Sequence, residues 1–232
     1  MKNIDKKYKG FSMIEMLLTM VIIMIVMLLV GTTLVTISKV SVTTTNKNLA
    51  RSDINYMMDV VSRTISNAGV EDIYLFNSTL RTIGENNANG QLEIVEGYSI
   101  VDYDMPLTND GEVGNEIQVK IYGYDYWTCI GFFKDAVNPE YGYVVKTVYA
   151  DSTIELDEEP HRCFTSSATL ELLHSYSINT LDFRIEPFNV GQDLNSQFIV
   201  EATVEPLLWP IAESYPINRE ITRQSIISTE AL

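Results

Sequence analysis

Hydrophobic and polar positions divide the chain into three regimes. From Met16 to Ile37 no charged residue occurs, and Leu, Ile, Val and Met dominate. About 20 such residues span a bilayer as a helix, so one membrane insertion is expected here. Further on, Ala50, Ile54, Met57, Met58, Val61, Ile65 and Ala68 recur at steps of three and four, the period of a helix with one apolar face. Gly69 stands where a C-cap would end that helix. A continuous helix from Phe11 to Ala68 would be about 85 Å long. Residues 30–45, VGTTLVTISKVSVTTT, are rich in β-branched residues and include Gly31, all poorer helix formers. A kinked middle and a straight helix held by packing are both compatible with them.

Past Gly69 the pattern switches to short runs of β-branched and aromatic residues, at 91–103, 116–133, 142–150, 152–157, 181–188 and 198–206. Within them EIQVKIY and FRIEPF alternate apolar and polar positions, which predicts half-buried antiparallel strands. Loops are marked by GENNANG (84–90), NDGEVGN (109–115) and NVGQDLNS (189–196). Residues 166–177 suit a strand or a short helix, and 216–232 a final strand or a tail. No internal repeat or low-complexity linker divides the head. The expected fold class is therefore α+β: a long N-terminal helix, transmembrane in its first half, packed by its second half on an antiparallel β-rich head.

Charge orients this plan. Net charge is −15, yet Lys2, Lys6, Lys7 and Lys9 face only Asp5 in the first ten residues. Basic flanks stay cytoplasmic, so a single-pass protein with its N-terminus inside and its acidic head outside is expected. An acidic head argues against nonspecific binding of phosphate backbones, and no nucleic-acid partner is assigned. The two cysteines, Cys129 and Cys163, both fall in the exported part. An even count in an oxidising compartment reads as a disulfide, and closing a loop of about 35 residues would contribute roughly 3–4 kcal/mol. Two reduced, buried thiols are the alternative.

One acid breaks the apolar opening. The basic segment ends in Lys9-Gly10, Phe11 begins the apolar run, and Glu15 occupies its fifth position. A carboxylate in hydrocarbon is expensive unless it finds a partner. An ordinary secretory signal would show a small-residue cleavage site after the core, and VGTTLVTISKVSVTTT offers none. The stretch GFSMIEMLLTMVIIMIV resembles the class III signal of type IV pilins and type II secretion pseudopilins. That resemblance implies cleavage by prepilin peptidase between Gly10 and Phe11 and N-methylation of Phe11. It also implies an assembly role for Glu15, paired with the N-terminal amine of a neighbouring subunit. Two opposite buried charges then offset a penalty that either would carry alone.

The resemblance divides the chain into a leader (1–10), a transmembrane and assembly helix (11–38), the amphipathic second half of that helix (39–69) and a β-rich extracytoplasmic head (70–232). The length of the head and its late strands are similar to those of the larger minor subunits, the J-type minor pseudopilins and their pilus counterparts. Retention of Glu15 departs from the K-type tip pseudopilins. The implied partners are other minor and major pilins, prepilin peptidase, the inner-membrane assembly platform and membrane lipid. The implied location is the cytoplasmic (inner) membrane, then an extracellular or periplasmic filament. A signal-anchored adhesin or receptor with an aromatic β-rich domain is the competing reading; it needs neither cleavage after Gly10 nor Glu15.

Other chemistry is thinly supported. TNDGEVGNE (108–116), with Asp102 and Asp104 before it, gathers oxygen donors of the kind calcium uses, but not in EF-hand order; solvated loop acids are the plainer account. No cofactor is expected. His161, Cys163 and His174 are zinc-ligating types without zinc spacing. No nucleophile motif or P-loop frame is present, so no enzymatic activity is expected. The aromatic run from Ile121 to Tyr149 fits sheet packing before a stacking surface for sugars or single strands. Asn77-Ser78-Thr79 fits a glycosylation acceptor.

Overall fold

The computed structural model describes residues 10–77, 81–85, 91–96, 113–149, 163–164, 168–188, 197–207 and 219–229. It resolves into two compact units, residues 1–45 and 46–232. In the first, α1 (Met13–Ser66) begins, and from Met13 to Val42 its large apolar side chains are exposed. The helix runs without a break through residues 30–45. There the hydroxyls of Thr32, Thr33 and Thr36 donate to the carbonyls of Leu29, Leu29 and Thr32 at 2.8–2.9 Å. These bonds satisfy polar groups inside an apolar segment and leave the backbone ladder in place.

The second unit contains the remainder of α1 and two sheets. Ala50, Ile54, Met57, Met58, Val61 and Ile65 are all buried, on the stripe expected from their spacing. The helix ends at Ser66, and β1 (Ala68–Phe76) starts at once. Ala68 and Gly69 thus open a strand and do not close the helix. Then follow β2 (Thr82–Glu85), β3 (Leu92–Glu96), β4 (Glu116–Ile121), β5 (Trp127–Asp135), β6 (Gly142–Tyr149), β7 (Glu171–Leu172), β8 (Ile178–Phe188), β9 (Gln197–Pro206) and β10 (Ile221–Ser228). The stretch read as one strand at 116–133 is two, folded back at Gly123, whose φ of 82° suits a residue without a Cβ. β2 occupies the start of an expected loop at Gly84 and Glu85. Residues 152–157 lie outside the described residues.

Seven strands form one sheet, in the order β1-β4-β5-β2-β3, with β6 on the other side of β5 and β7 beyond it. Pairing is antiparallel except where Thr82 and Ile83 of β2 run parallel to Lys134 and Asp135 of β5. The second sheet is antiparallel, β10-β9-β8. Its central strand buries alternate residues, Phe198, Val200, Ala202 and Val204, as a half-buried strand must. These join Phe183, Ile185, Ile117, Ile130, Val144 and the buried stripe of α1 in one core. A smaller core on the other face of the large sheet gathers Ile83, Ile94, Trp127, Cys129, Phe133, Val145, Cys163 and Phe164.

Candidate functional site

Helix α1 starts two residues after Phe11, and its first turn is closed by its own side chains. The carboxylate Oε2 of Glu15 accepts from the backbone N–H and the hydroxyl of Ser12, each at 2.9 Å. The N–H of Glu15 in turn donates to Ser12 Oγ at 3.4 Å. This is a capping box: it supplies partners to N–H groups that the helix cannot satisfy itself. Both strong bonds use one oxygen, which leaves lone pairs on the other for a further donor. Gly10 and Phe11 stand outside the helix and are exposed, Phe11 to 78%. The peptide between them is therefore accessible and lies outside the helix. The large apolar side chains of α1 that follow, from Met13 to Val42, are exposed. Among the described residues this is the one helix long and apolar enough to cross a membrane.

The head holds two buried polar centres. In the first, the Arg81 guanidinium pairs with the Glu116 carboxylate, both side chains almost fully buried. Gln118 Nε2 donates to the other carboxylate oxygen at 2.9 Å. The guanidinium lies 5.3 Å and 5.7 Å from the ring centres of Phe164 and Phe133. Burial pushes the Glu116 carboxyl up, while Arg81 and then Gln118 pull it down. Cys129 and Cys163 are disulfide-bonded beside this centre, Cα atoms 6.0 Å apart, a usual spacing.

In the second, His174 Nε2 accepts from the Val144 N–H at 3.2 Å and lies 3.2 Å from Thr180 Oγ1. A backbone N–H can only donate, so the neutral ring carries its proton on Nδ1, which faces the Ser175 carbonyl at 3.0 Å. Ser175 Oγ also reaches Asp53 of α1 at 2.5 Å. One histidine thus ties β6 to β8 and, through its neighbour, to the helix.

Neither centre resembles a metal or catalytic site. Among the described residues no group of three or more His, Cys, Asp or Glu is arranged to hold a metal. Glu116, counted among possible calcium donors, is committed to Arg81; Asp102, Asp104 and residues 108–112 lie outside the described residues, as do His161, Ser78 and Thr79. Trp127 and Phe133 pack in the sheet, whereas Tyr122 and Tyr124 are exposed at the β4–β5 turn.

Sequence reasoning singled out Gly10, Phe11 and Glu15 but missed Ser12. The signal was present as Ser12-Met13-Ile14-Glu15, the S-x-x-E spacing of a capping box ahead of an apolar run. A family model described as the prokaryotic N-terminal methylation motif matches residues 5–31, a span that includes Gly10, Phe11, Ser12 and Glu15. No curated protein and no solved structure matches the chain.

Proposed function

The chain belongs to the type IV pilin and pseudopilin family, a membership carried by its N-terminal methylation motif joined to an apolar helix and an antiparallel β head, and we propose that within this family it is a minor subunit of a pilus-like or type II secretion filament, acting in the initiation or tip complex. It is a substrate of prepilin peptidase and a structural subunit, not an enzyme. The proposed cut lies between Gly10 and Phe11, followed by methylation of the Phe11 amine. The proposed topology is a single pass of the cytoplasmic membrane with the lysine-rich end inside. The subunit then leaves for an extracellular or periplasmic filament.

The observation that carries this reading is the exposed, non-helical Gly10–Phe11 peptide just ahead of a capped apolar helix bearing Glu15. Cleavage there creates a charged amine one turn from Glu15. In the membrane the helix meets lipid; in the filament the same surface meets other subunits. The Glu15 carboxylate offers its remaining lone pairs to a neighbour's amine, a pairing that favours only correctly registered subunits. A head with two sheets and two cores supports the minor assignment, since it offers more surface than self-stacking of a small head requires. The partners are other minor and major pilins and the inner-membrane assembly platform.

N-terminal mass analysis of the protein from its native membrane, with and without active prepilin peptidase, tests the processing. The expected peptide begins at methylated Phe11 and vanishes when the peptidase is inactive. An intact Met1 start, or cleavage beyond Gly31, would leave the anchored adhesin or receptor in front. Quantitative mass spectrometry of sheared filaments tests the minor role: abundance equal to that of the main subunit would refute it.

A further inference from the structure

Two short connections, β5 to β6 and β7 to β8, are each braced by their own polar groups. In the first, Asp135 Oδ1 accepts from the N–H groups of Val137 and Asn138, each at 2.8 Å. The Asp135 N–H donates to the Tyr141 carbonyl at 2.9 Å, and Asn179 of β8 donates to the Glu140 carbonyl at 3.1 Å. In the second, Ser175 Oγ donates to Asp53 Oδ2 of α1 and meets Ser177 Oγ, each at 2.5 Å. Two tyrosine rings join these connections. Tyr143 lies parallel to the buried His174 ring, centres 6.0 Å apart, and its hydroxyl donates to Asp135 Oδ2 at 3.1 Å. Tyr176 stands at 71° to Tyr143 with centres 6.4 Å apart and is 62% exposed. The two rings form a corner, with Tyr143 as the fixed wall and Tyr176 as the outer one.

The rim of this corner is acidic. Asp135 and Glu140 belong to one connection and Asp53 is bonded to the other, while no lysine or arginine occurs at 135–143 or 173–177. Burial first, and then Asp135, push the Tyr143 pKa up to about 12, so its ring is a neutral phenol. His174 accepts from the Val144 N–H and brings no positive charge in that state. An exposed aromatic anchor inside a polar rim has the composition of a binding hot spot. Its charge selects the occupant: phosphates and acidic sugars are repelled, whereas tyrosine faces attract a cation within about 6 Å of the ring centre. A guanidinium suits both features, because its plane stacks on a ring and its donors meet carboxylates at a lower dehydration cost than an ammonium.

We propose that the Tyr143–Tyr176 corner docks an arginine side chain of a partner subunit, with the rings against the guanidinium and Asp53 and Asp135 balancing its charge. The identity of the partner as a filament subunit rests on the reading above; the chemistry of the corner does not. The braced connections hold the rings and the carboxylates in place before the partner arrives, so little ordering entropy opposes the contact.

The test uses the full-length protein in detergent with isotope-labelled tyrosine rings, their resonances assigned through Tyr143→Phe and Tyr176→Phe. The probe is the peptide acetyl-Gly-Arg-Gly-amide; its citrulline counterpart has the same shape without the charge. The arginine peptide should move both ring resonances to saturation, and the citrulline peptide should bind at least fivefold more weakly. Tyr176→Ala and Asp53→Asn should each weaken arginine binding at least threefold. Glu201→Gln, on the outer face of the second sheet, should leave it unchanged. Equal binding of the citrulline peptide, or an equal loss in Glu201→Gln, would overturn the site. So would ring shifts produced by a neutral sugar such as maltose and not by the arginine peptide. In cells, Tyr176→Ala should be processed normally yet reach sheared filaments at least threefold less often, and undiminished incorporation would refute docking to a partner subunit. N-terminal mass analysis of the same samples judges the processing reading independently.

Discussion

Ser12 and Glu15 bond to each other in both directions: Ser12 donates its N–H and hydroxyl to one carboxylate oxygen, and Glu15 returns its N–H to the same hydroxyl. All the atoms of this cap lie downstream of the Gly10–Phe11 peptide. Cleavage at that peptide would therefore leave the Ser12–Glu15 bonds in place. The cap also keeps the carboxylate hydrogen-bonded within its own chain.

Charge and cap can be separated at this position. Glu15→Gln keeps a capping acceptor but no charge, and is expected to be cleaved normally yet to fail in filament incorporation. Ser12→Ala keeps the charge and loses the cap, with incorporation reduced severalfold and not abolished. The ratio of processed subunit in sheared filaments to that in membranes reads both. Equal incorporation of Glu15→Gln and the unmodified protein would sink the charge-pairing role.

His174 is expected to make head stability fall in mild acid. Burial pushes its pKa down, against weaker upward pulls from the Ser175 carbonyl and Asp53. The folded value thus lies below the unfolded one, near the ordinary 6.5. The stabilisation is complete above that pH and is lost as pH falls toward the folded value. Protonation puts a second donor against the Val144 N–H; a buried N–H without an acceptor costs about 1–3 kcal/mol. Neighbouring Tyr143, whose pKa is pushed up to about 12, stays neutral throughout. Urea unfolding of the detergent-solubilised protein from pH 7.5 to 5 should show the decline. His174→Gln, which keeps an acceptor and does not titrate, should flatten it.

The Arg81–Glu116 pair should be far more costly to break than to replace. Arg81→Met strands a buried carboxyl and is expected to destabilise by about 3–5 kcal/mol. Without Arg81 the Glu116 pKa rises further above its unfolded value. The loss should therefore deepen as pH rises from 5 to 8. Adding Glu116→Leu should recover most of the stability, and a double-mutant cycle from urea midpoints measures the coupling. Additive single effects would contradict the pairing.

Two glycines should fail for different reasons. At Gly142 a Cβ would collide with the Thr180 carbonyl and the Phe132 ring, so Gly142→Ala should cost about 1–3 kcal/mol by overpacking. At Gly123 there is open space but φ is +82°. Gly123→Ala should cost about 1 kcal/mol through the backbone alone, and Gly123→Asn less, since Asn tolerates that region. Thermal melting of the three variants separates the mechanisms.

The sequence by itself determined whatever depends on neighbours along the chain. The charge-free run to Ile37, the stripe from Ala50 to Ile65 and the placement of Glu15 after Gly10-Phe11 are short-range patterns, and they correspond to a helix long and apolar enough to cross a membrane, a half-buried amphipathic helix and an N-terminal methylation motif. Alternation exposed β9 for the same reason, since a period of two leaves one buried face. Only the tertiary structure decided what depends on distant segments. Tyr122-Gly123-Tyr124 reads as strand because tyrosine favours strands, and the fold breaks it there because β4 and β5 must pair with each other. Residues 68–76 continue past the helix without a strong signal and become a strand by pairing with β4. Arg81 and Glu116 are 35 positions apart, and nothing local marks either as buried. Their charges are tolerable only because the sheet register, Gly131 and the disulfide-held Phe164 close the space around them.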